Sequence, residues 1–294
     1  MSKSINKIYD LKDNLKIIEG ESFHLSNYPT KLNIKVKKEK IIKELSKNIK
    51  EILILQDKLY AQSKYAVLFI FQGMDASGKD SIIKHVMGGI NPQGCRVVSF
   101  KQPAQEELNR DYLWRIHNKI PERGMIGIFN RSHYEEVLTV RVNNLLKYQN
   151  IPEEFIDEQI WKRRFRQIVD FEKYLYENGI IIKKFFLHIS SEEQKKRFLK
   201  RIEEKSKNWK FSKTDVDDRK KWNDFQLCYE DAIKHTSFEW APWHIIPADE
   251  KFIARLLVSK FIIETLENLK LKYPEISSDK FDELILCREK LLNE

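Results

Sequence analysis

Between Val36 and Gln62 the apolar residues Ile41, Ile42, Leu45, Ile49, Ile52, Leu55 and Leu59 recur at three- and four-residue steps, with lysine and glutamate between them. That period predicts an amphipathic helix with one stripe facing a core. The pattern then changes character. Tyr65 to Phe71 reads YAVLFIF, a continuous β-branched and aromatic run followed closely by glycine, which predicts a strand buried on both faces. Comparable runs at Arg96 to Phe100, Met125 to Asn130, Ile180 to Ile189 and His244 to Ala248 predict four more strands. Helical patterns cover Leu108 to Ile120, Glu153 to Asn178, Glu192 to Glu204, Asp217 to His235 and Glu250 to Lys272. Strands alternating with helices imply an α/β fold, a five-stranded parallel sheet between helical layers.

Residues 1–35 show no clear period and read as an N-terminal extended arm packed on something else, leaving 36–294 as a single domain. The stretch KSKNWKFSKTDVDD, 205–218, is polar and basic without a period. It predicts a mobile loop, and with the helix before it forms a candidate lid over about 191–216. No apolar run approaches the roughly 20 residues needed to span a bilayer, and the N-terminal MSKSINKIYDLKDNLK offers no apolar segment for secretion. A cytoplasmic protein without a membrane partner is the expectation. Cys95, Cys228 and Cys287 are odd in number and far apart, and the seven histidines are scattered, so neither a disulfide framework nor a transition-metal site is expected.

The chain carries 53 basic and 44 acidic residues, a net charge of +9. Nine basic residues against Glu203 and Glu204 fall between Lys195 and Lys213, so most of the excess is local and suits a polyanionic partner. The chemistry for such a partner follows the first predicted strand. Gly73-Met74-Asp75-Ala76-Ser77-Gly78-Lys79-Asp80 matches the phosphate-binding loop G-x-x-x-x-G-K, with Asp80 where serine or threonine is usual. Gly73 and Gly78 let the backbone curl so that N–H groups, including those at Ala76 and Ser77, face a phosphate; the helix that follows aims its positive end there, and Lys79 neutralises oxygens. Asp80 removes the customary magnesium-binding hydroxyl, and Asp75 is the carboxylate that could stand in.

A second constellation, Asn130-Arg131-Ser132-His133-Tyr134-Glu135-Glu136, follows the third strand. Asn130 occupies the place where phosphate-loop enzymes usually hold a metal-binding acid. Arg131 can grip a transferring phosphoryl group, and Glu136 is read as the acid that replaces the lost charge. Their bland alternatives are a structural arginine and a solvated helix start. The third constellation places Arg197, Lys200 and Arg201 on one helix face, where unpaired like charges repel unless an anion lies between them. A phosphate clamp is therefore favoured over a solvated face.

GMDASGKD, INPQGCRVVSF, RDYLWR, IFNRSHYEEVLTVRV, FFLHIS with Arg197, and APWHIIPA together resemble the family 2 polyphosphate kinases, over about Leu32 to Leu271. The Asn130 form of the second motif is similar to the third class of that family, which phosphorylates both nucleoside mono- and diphosphates. The resemblance implies a P-loop nucleotide-kinase-like three-layer sandwich with a helical lid, assembled as a homodimer or homotetramer. It implies Mg²⁺, with Mn²⁺ as a substitute, and reversible transfer between inorganic polyphosphate and adenine or guanine nucleotides. By position, it assigns Asp75, Lys79, Arg131 and Arg197 to catalysis. Gly73, Ala76, Ser77, Gly78, Asp80, Asn130, Lys200 and Arg201 join Lys79 in holding phosphates, and Asp75 with Glu136 holds the metal. Two rivals stay open: an ATP-dependent nucleoside monophosphate kinase of the thymidylate-kinase type, and a non-catalytic polyanion or nucleic-acid binding module. Partnership with nucleic acid is not expected.

Overall fold

Residues 3–294 are described by a computed structural model. Six strands, β1 (Lys16–Ile17), β2 (Ala66–Gln72), β3 (Cys95–Ser99), β4 (Ile126–Asn130), β5 (Ile180–His188) and β6 (Trp243–Pro247), form one sheet in the order β1-β6-β5-β2-β4-β3. The five predicted strands are β2 to β6, all parallel. The sixth is β1, two residues that pair antiparallel with β6, so the sheet is mixed and one strand wider than expected. Every residue of β2 is buried, as its unbroken apolar run requires of a strand covered on both faces.

The helices of eight or more residues are α1 (Lys3–Asp10), α2 (Lys38–Gln62), α3 (Lys79–Val86), α4 (Ile160–Glu177), α5 (Ser191–Glu203), α6 (Lys213–Lys220), α7 (Trp222–Thr236), α8 (Lys251–Glu267) and α9 (Ser278–Leu292). Adjacent residues of β5 identify the layers, because successive strand side chains point to opposite faces. Phe185 meets Phe261 of α8, whereas Phe186 meets Tyr229 of α7. The sheet therefore lies between α8 on one side and α7 on the other. Helix α8 is buried around most of its circumference because α2 covers the side that the sheet does not. Ile52 of α2 is fully buried there, and its truncation to alanine would cost about 2–5 kcal/mol.

The N-terminal segment differs from the extended arm expected over 1–35. Ile5 and Ile8, one turn apart, are buried on α1, and Lys16–Ile17 adds the edge strand. The helix expected at Leu108 to Ile120 is two single turns, Gln105–Leu108 and Trp114–His117. Asp111 breaks it, since its carboxylate accepts the N–H groups of Leu113 and Trp114 and starts the second turn afresh. Asp157 does the same before α4, accepting from the amide of Gln159, so that helix begins at Ile160 and not at Glu153. The lid stretch contains a 3₁₀ turn, Lys205–Lys210, and then α6, whose capping residue Ser212 accepts from the amide of Thr214. The sequence pattern gave no warning of α9.

Strand order decides where ligands can bind. β2 lies between β4 and β5: the chain runs from β2 to β3 at one edge, returns through β4, and then crosses β2 to β5 and β6 on the other side. Such a switch point opens a crevice at the carboxyl ends of the strands. The segments that follow β2, β4 and β5 are the three constellations picked out in the sequence, so the topology brings them together.

Candidate active site

The loop after β2 begins at Gly73, with φ of +146°. A Cβ built there would lie 2.8 Å from the carbonyl oxygen of Leu187 on β5, so only glycine fits. Gly78 has φ of +113° and directly precedes α3, which leaves the first amides of that helix pointing into the loop. Ala76 (φ +61°) and Arg131 (φ +63°) are left-handed without being glycine, which costs on the order of 1–3 kcal/mol each. Such geometry persists where its surroundings hold it.

Arg197 supplies much of that hold. It is buried, and its guanidinium donates to the carbonyls of Ala76 (3.0 Å), Ser77 (2.8 Å), Ala248 (2.6 Å) and Asp249 (3.1 Å), and to Glu193 (2.8 Å). All five of its donors are engaged with protein. This differs from the expected phosphate contact: Arg197 braces the loop from behind. Lys200 pairs with Glu204 (3.3 Å) and Arg201 with Asp215 (3.7 Å). The three cations expected to clamp an anion each have an acid, and the repulsion that argued for the clamp is relieved within the protein.

Lys79 is buried and its ammonium donates to the carbonyls of Gly73 (2.5 Å) and Met74 (3.3 Å). Burial, and after it the charge of Arg131, lower its pKa to about 8. The Ser77 hydroxyl is also buried and has no partner among the described residues. Asp80 stands at the helix start, where Asn130 donates to it at 2.8 Å and Lys210 of the lid stretch lies at 3.5 Å. Against the opposing effect of burial, that amide hydrogen bond and the charges of Lys210 and Lys79 hold the Asp80 carboxyl below its ordinary range. Asn130 thus serves as a donor to Asp80, where a second acid would repel it.

Asp75 and Arg131 face each other, Oδ1 to guanidinium, at 2.5 Å. They line an open cleft with Gly73, Glu135, Asp215, Asp218 and Tyr229. Glu135 lies 3.6 Å from Arg131 and accepts from Thr139 at 2.6 Å. Its charge is the main reason that the Arg131 pKa is raised above its ordinary value. The expectation for Glu136 is corrected here. Its carboxylate turns instead to Gln149 (2.7 Å) and Arg164 (3.5 Å), and burial raises its pKa. Glu135, the neighbour that sequence reasoning passed over, faces the cleft. A 3₁₀ turn carries both acids, and it rotates successive side chains by about 120°, so adjacent residues look in quite different directions.

Asp215 and Asp218 were also unanticipated. Their three-residue spacing puts them on one side of α6, and burial raises both pKa values, with the charge of Asp75 adding to the shift. Behind the cleft, Glu172 is fully buried and accepts from Lys184 (2.5 Å) and Tyr134 (2.9 Å), with His133 at 3.3 Å. That buried group ties the 131–136 segment to β5 and α4.

Among the described residues, no three His, Cys, Asp or Glu side chains converge closely enough to hold a metal ion by themselves. The donor set still fits Mg²⁺. That ion keeps several waters and takes one or two carboxylates together with substrate phosphates. Asp75 and Glu135 offer such oxygens, and Asp215 and Asp218 add negative charge that a cation would relieve.

Comparison with known proteins points to one family. Residues 35–274 match the family described as Polyphosphate kinase 2 (PPK2). An ADP-polyphosphate phosphotransferase of Rhodopseudomonas palustris is 48% identical over 280 residues, covering 94% of this chain and 97% of that protein. An AMP/ADP-polyphosphate phosphotransferase of Meiothermus ruber is 47% identical over 228 residues, 77% of this chain and 82% of that one. The crystal structure of Polyphosphate Kinase 2 from Arthrobacter aurescens TC1 superposes with a TM-score of 0.85 at 36% identity, over 94% of this chain and 96% of the other.

Proposed function

The chain belongs to the polyphosphate kinase 2 family and is a polyphosphate:nucleotide phosphotransferase, and from that premise we propose a reversible, Mg²⁺-dependent transfer that accepts both ADP and AMP. The observation that carries the reading is the meeting of Asp75, Lys79, Arg131 and Glu135 where β2 and β4 end. In the forward direction, an ionised terminal phosphate oxygen of the nucleotide attacks the end phosphorus of polyphosphate. One P–O bond forms and one breaks, so the shortened chain keeps the electron pair and no proton need move. The protein's main task is to suppress repulsion between two anions while holding them in line.

The loop amides, the Ser77 hydroxyl and Lys79 bind the donor phosphates. Lys79 exchanges its carbonyl partners for phosphate oxygens, which restores the full charge that burial disfavours. Arg131 turns from Asp75 toward the transferring phosphoryl group. Asp75 and Glu135 would hold Mg²⁺, which supplies charge neutralisation and orientation of phosphate oxygens when bound; Mn²⁺ has the same octahedral preference for oxygen. Arg197 acts through the loop, as a positioning residue. Asp80 favours polyphosphate over the ATP-donor alternative, because the hydroxyl that conventionally ligates the metal of a nucleotide triphosphate is absent and its replacement is engaged by Asn130 and Lys210.

Separate incubations of AMP, ADP, GMP and GDP with long-chain polyphosphate and Mg²⁺, resolved by ion-exchange chromatography, test the proposal. Both adenine nucleotides gain phosphate, Mn²⁺ substitutes for Mg²⁺, and ATP with excess enzyme returns phosphate to the chain. The guanine pair measures base preference. Phosphorylation of AMP by ATP but not by polyphosphate would replace this reading with the monophosphate-kinase one.

A further inference from the structure

The N-terminal segment ends on the same polar groups that steady Arg197. Beyond β1, whose Ile17 carbonyl accepts from the Ser237 hydroxyl at 2.5 Å, the chain passes along α7, where Glu230 accepts from the amide of Leu25 at 2.7 Å. Phe23, Leu25 and Leu32 are buried on this path. It then meets the turn that follows β6. The Thr30 hydroxyl donates to Oδ2 of Asp249 (2.9 Å), and the Asp249 amide donates back to the Thr30 carbonyl (3.0 Å). The family match begins at residue 35, so Thr30 lies before it.

Asp249 has two further contacts, and both bear on Arg197. Its Oδ1 accepts from the amide of Ser190 (2.8 Å), the residue whose hydroxyl caps α5, and Arg197 stands on the second turn of that helix. Its carbonyl accepts from the Arg197 guanidinium (3.1 Å). Asp249 therefore holds the helix that carries the arginine and the tip of the same side chain. The carboxylate is divided, one oxygen to the arm and one to α5, whereas a contact that only fastened the arm would leave the second oxygen free. Arg197 passes the constraint to the carbonyls of Ala76 and Ser77. We propose that Thr30 and Asp249 are positioning residues for phosphoryl transfer. The arm fixes Asp249, Asp249 fixes Arg197, and Arg197 keeps the left-handed Ala76 in place so that the loop amides stay aimed at the donor phosphates.

The inference rests on the reading that this loop holds the donor phosphates. Thr30→Val tests it, since valine keeps the shape and loses only the hydroxyl's hydrogen bond to Asp249. Assayed with ADP, polyphosphate and Mg²⁺ well below the unfolding midpoint, the variant shows kcat lowered about three- to tenfold, the effect of one hydrogen bond, with KM for ADP within about twofold. Hydrogen exchange of the amides over 73–79 quickens by a similar factor, which reads the loop without any turnover. Thr30→Ser, which restores the hydroxyl, returns both to within about twofold of wild type. Asp249→Ala releases both ends of Arg197 and lowers kcat by on the order of 10²-fold. In an Arg197→Lys background, where one ammonium cannot span the same carbonyls, adding Thr30→Val changes kcat by less than about twofold, because the brace is already loose. A purely structural tie lowers the unfolding midpoint and leaves kcat alone. Wild-type kcat in Thr30→Val, unchanged exchange over 73–79, or an equal loss of rate in both Arg197 backgrounds would overturn the proposal. Lys79→Ala separates the two readings: if it keeps its rate, the loop reading fails and takes this inference with it, and if it is inactive, any of those three results falls on the arm alone.

Discussion

Lys79 spends its ammonium on two loop carbonyls while its pKa is lowered to about 8. An arriving polyanion raises that pKa, so binding draws in a proton. At pH 8 the uptake reaches about half a proton per site and disappears near pH 6, where Lys79 is already charged. Calorimetry of polyphosphate binding in two buffers of different ionisation enthalpy measures it directly; uptake that does not change between pH 6 and 8 contradicts the assignment. Lys79→Ala lowers kcat by on the order of 10²-fold or more, the usual effect of removing one preorganised electrostatic contact. The adjacent acids separate cleanly. Glu135→Gln raises the Mg²⁺ concentration needed for half-maximal rate, as does Asp75→Asn. Glu136→Gln leaves that curve in place and lowers stability by roughly 1–3 kcal/mol, because Arg164 is buried and loses its charged partner. Identical Mg²⁺ curves for the Glu135 and Glu136 variants would remove Glu135 from the metal. Arg197→Ala is expected to lower both the melting temperature and kcat, with KM for the nucleotide little changed, since it deforms the loop without touching the acceptor.

At the scale of elements, the central strands were legible because a strand buried on both faces leaves no room for polar residues: YAVLFIF could hardly be anything else, whereas the two-residue edge strand β1 is too short to show a pattern. Helix existence was legible from period, whereas helix ends were set by single carboxylates. Asp111 and Asp157 each accept backbone N–H groups and restart the helix beyond them, a local hydrogen bond that a periodicity count does not register. The backbone of the loop after β2 was legible, since Gly73 and Gly78 both take the positive φ that glycine allows. The identity of the acid facing the cleft was not, because it depends on how a 3₁₀ turn is held by the buried Glu172 group, and those residues come from distant parts of the chain. Arg201 looked unpaired for a similar reason, since its partner Asp215 is on the next helix, whereas Glu193 and Glu204, four residues from Arg197 and Lys200 respectively, were local partners that the spacing already offered. The lid stretch is expected to collect the polyanion, and its lysines test this. Lys205→Ala or Lys207→Ala raises KM for long polyphosphate more than for short, and the effect shrinks as salt is added, because remote cations act by screened attraction. Equal effects on both chain lengths would make these lysines an ordinary solvated surface.

Over the whole molecule, topology does the assembling. The parallel order that puts β2 between β4 and β5 gathers residues more than a hundred positions apart into one cleft, and the left-handed Ala76 and Arg131 mark where that gathering is held under strain. No helix among the described residues is long and apolar enough to cross a membrane. Much of the positive excess lies between Lys195 and Lys213, a segment that reaches the start of α3 through Lys210 and Asp80. Its extent suits a long phosphate chain better than one nucleotide triphosphate. The central claim is that this cleft moves phosphoryl groups from polyphosphate to a nucleotide, and the most direct measurement is ³¹P NMR of the protein with ADP, polyphosphate and Mg²⁺ as the only phosphate sources. The account predicts ATP resonances growing as polyphosphate end groups change, and no such growth with Lys79→Ala or a chelator. Absence of ATP from the wild-type reaction, with nucleoside diphosphate forming when ATP and a monophosphate are supplied instead, would contradict it.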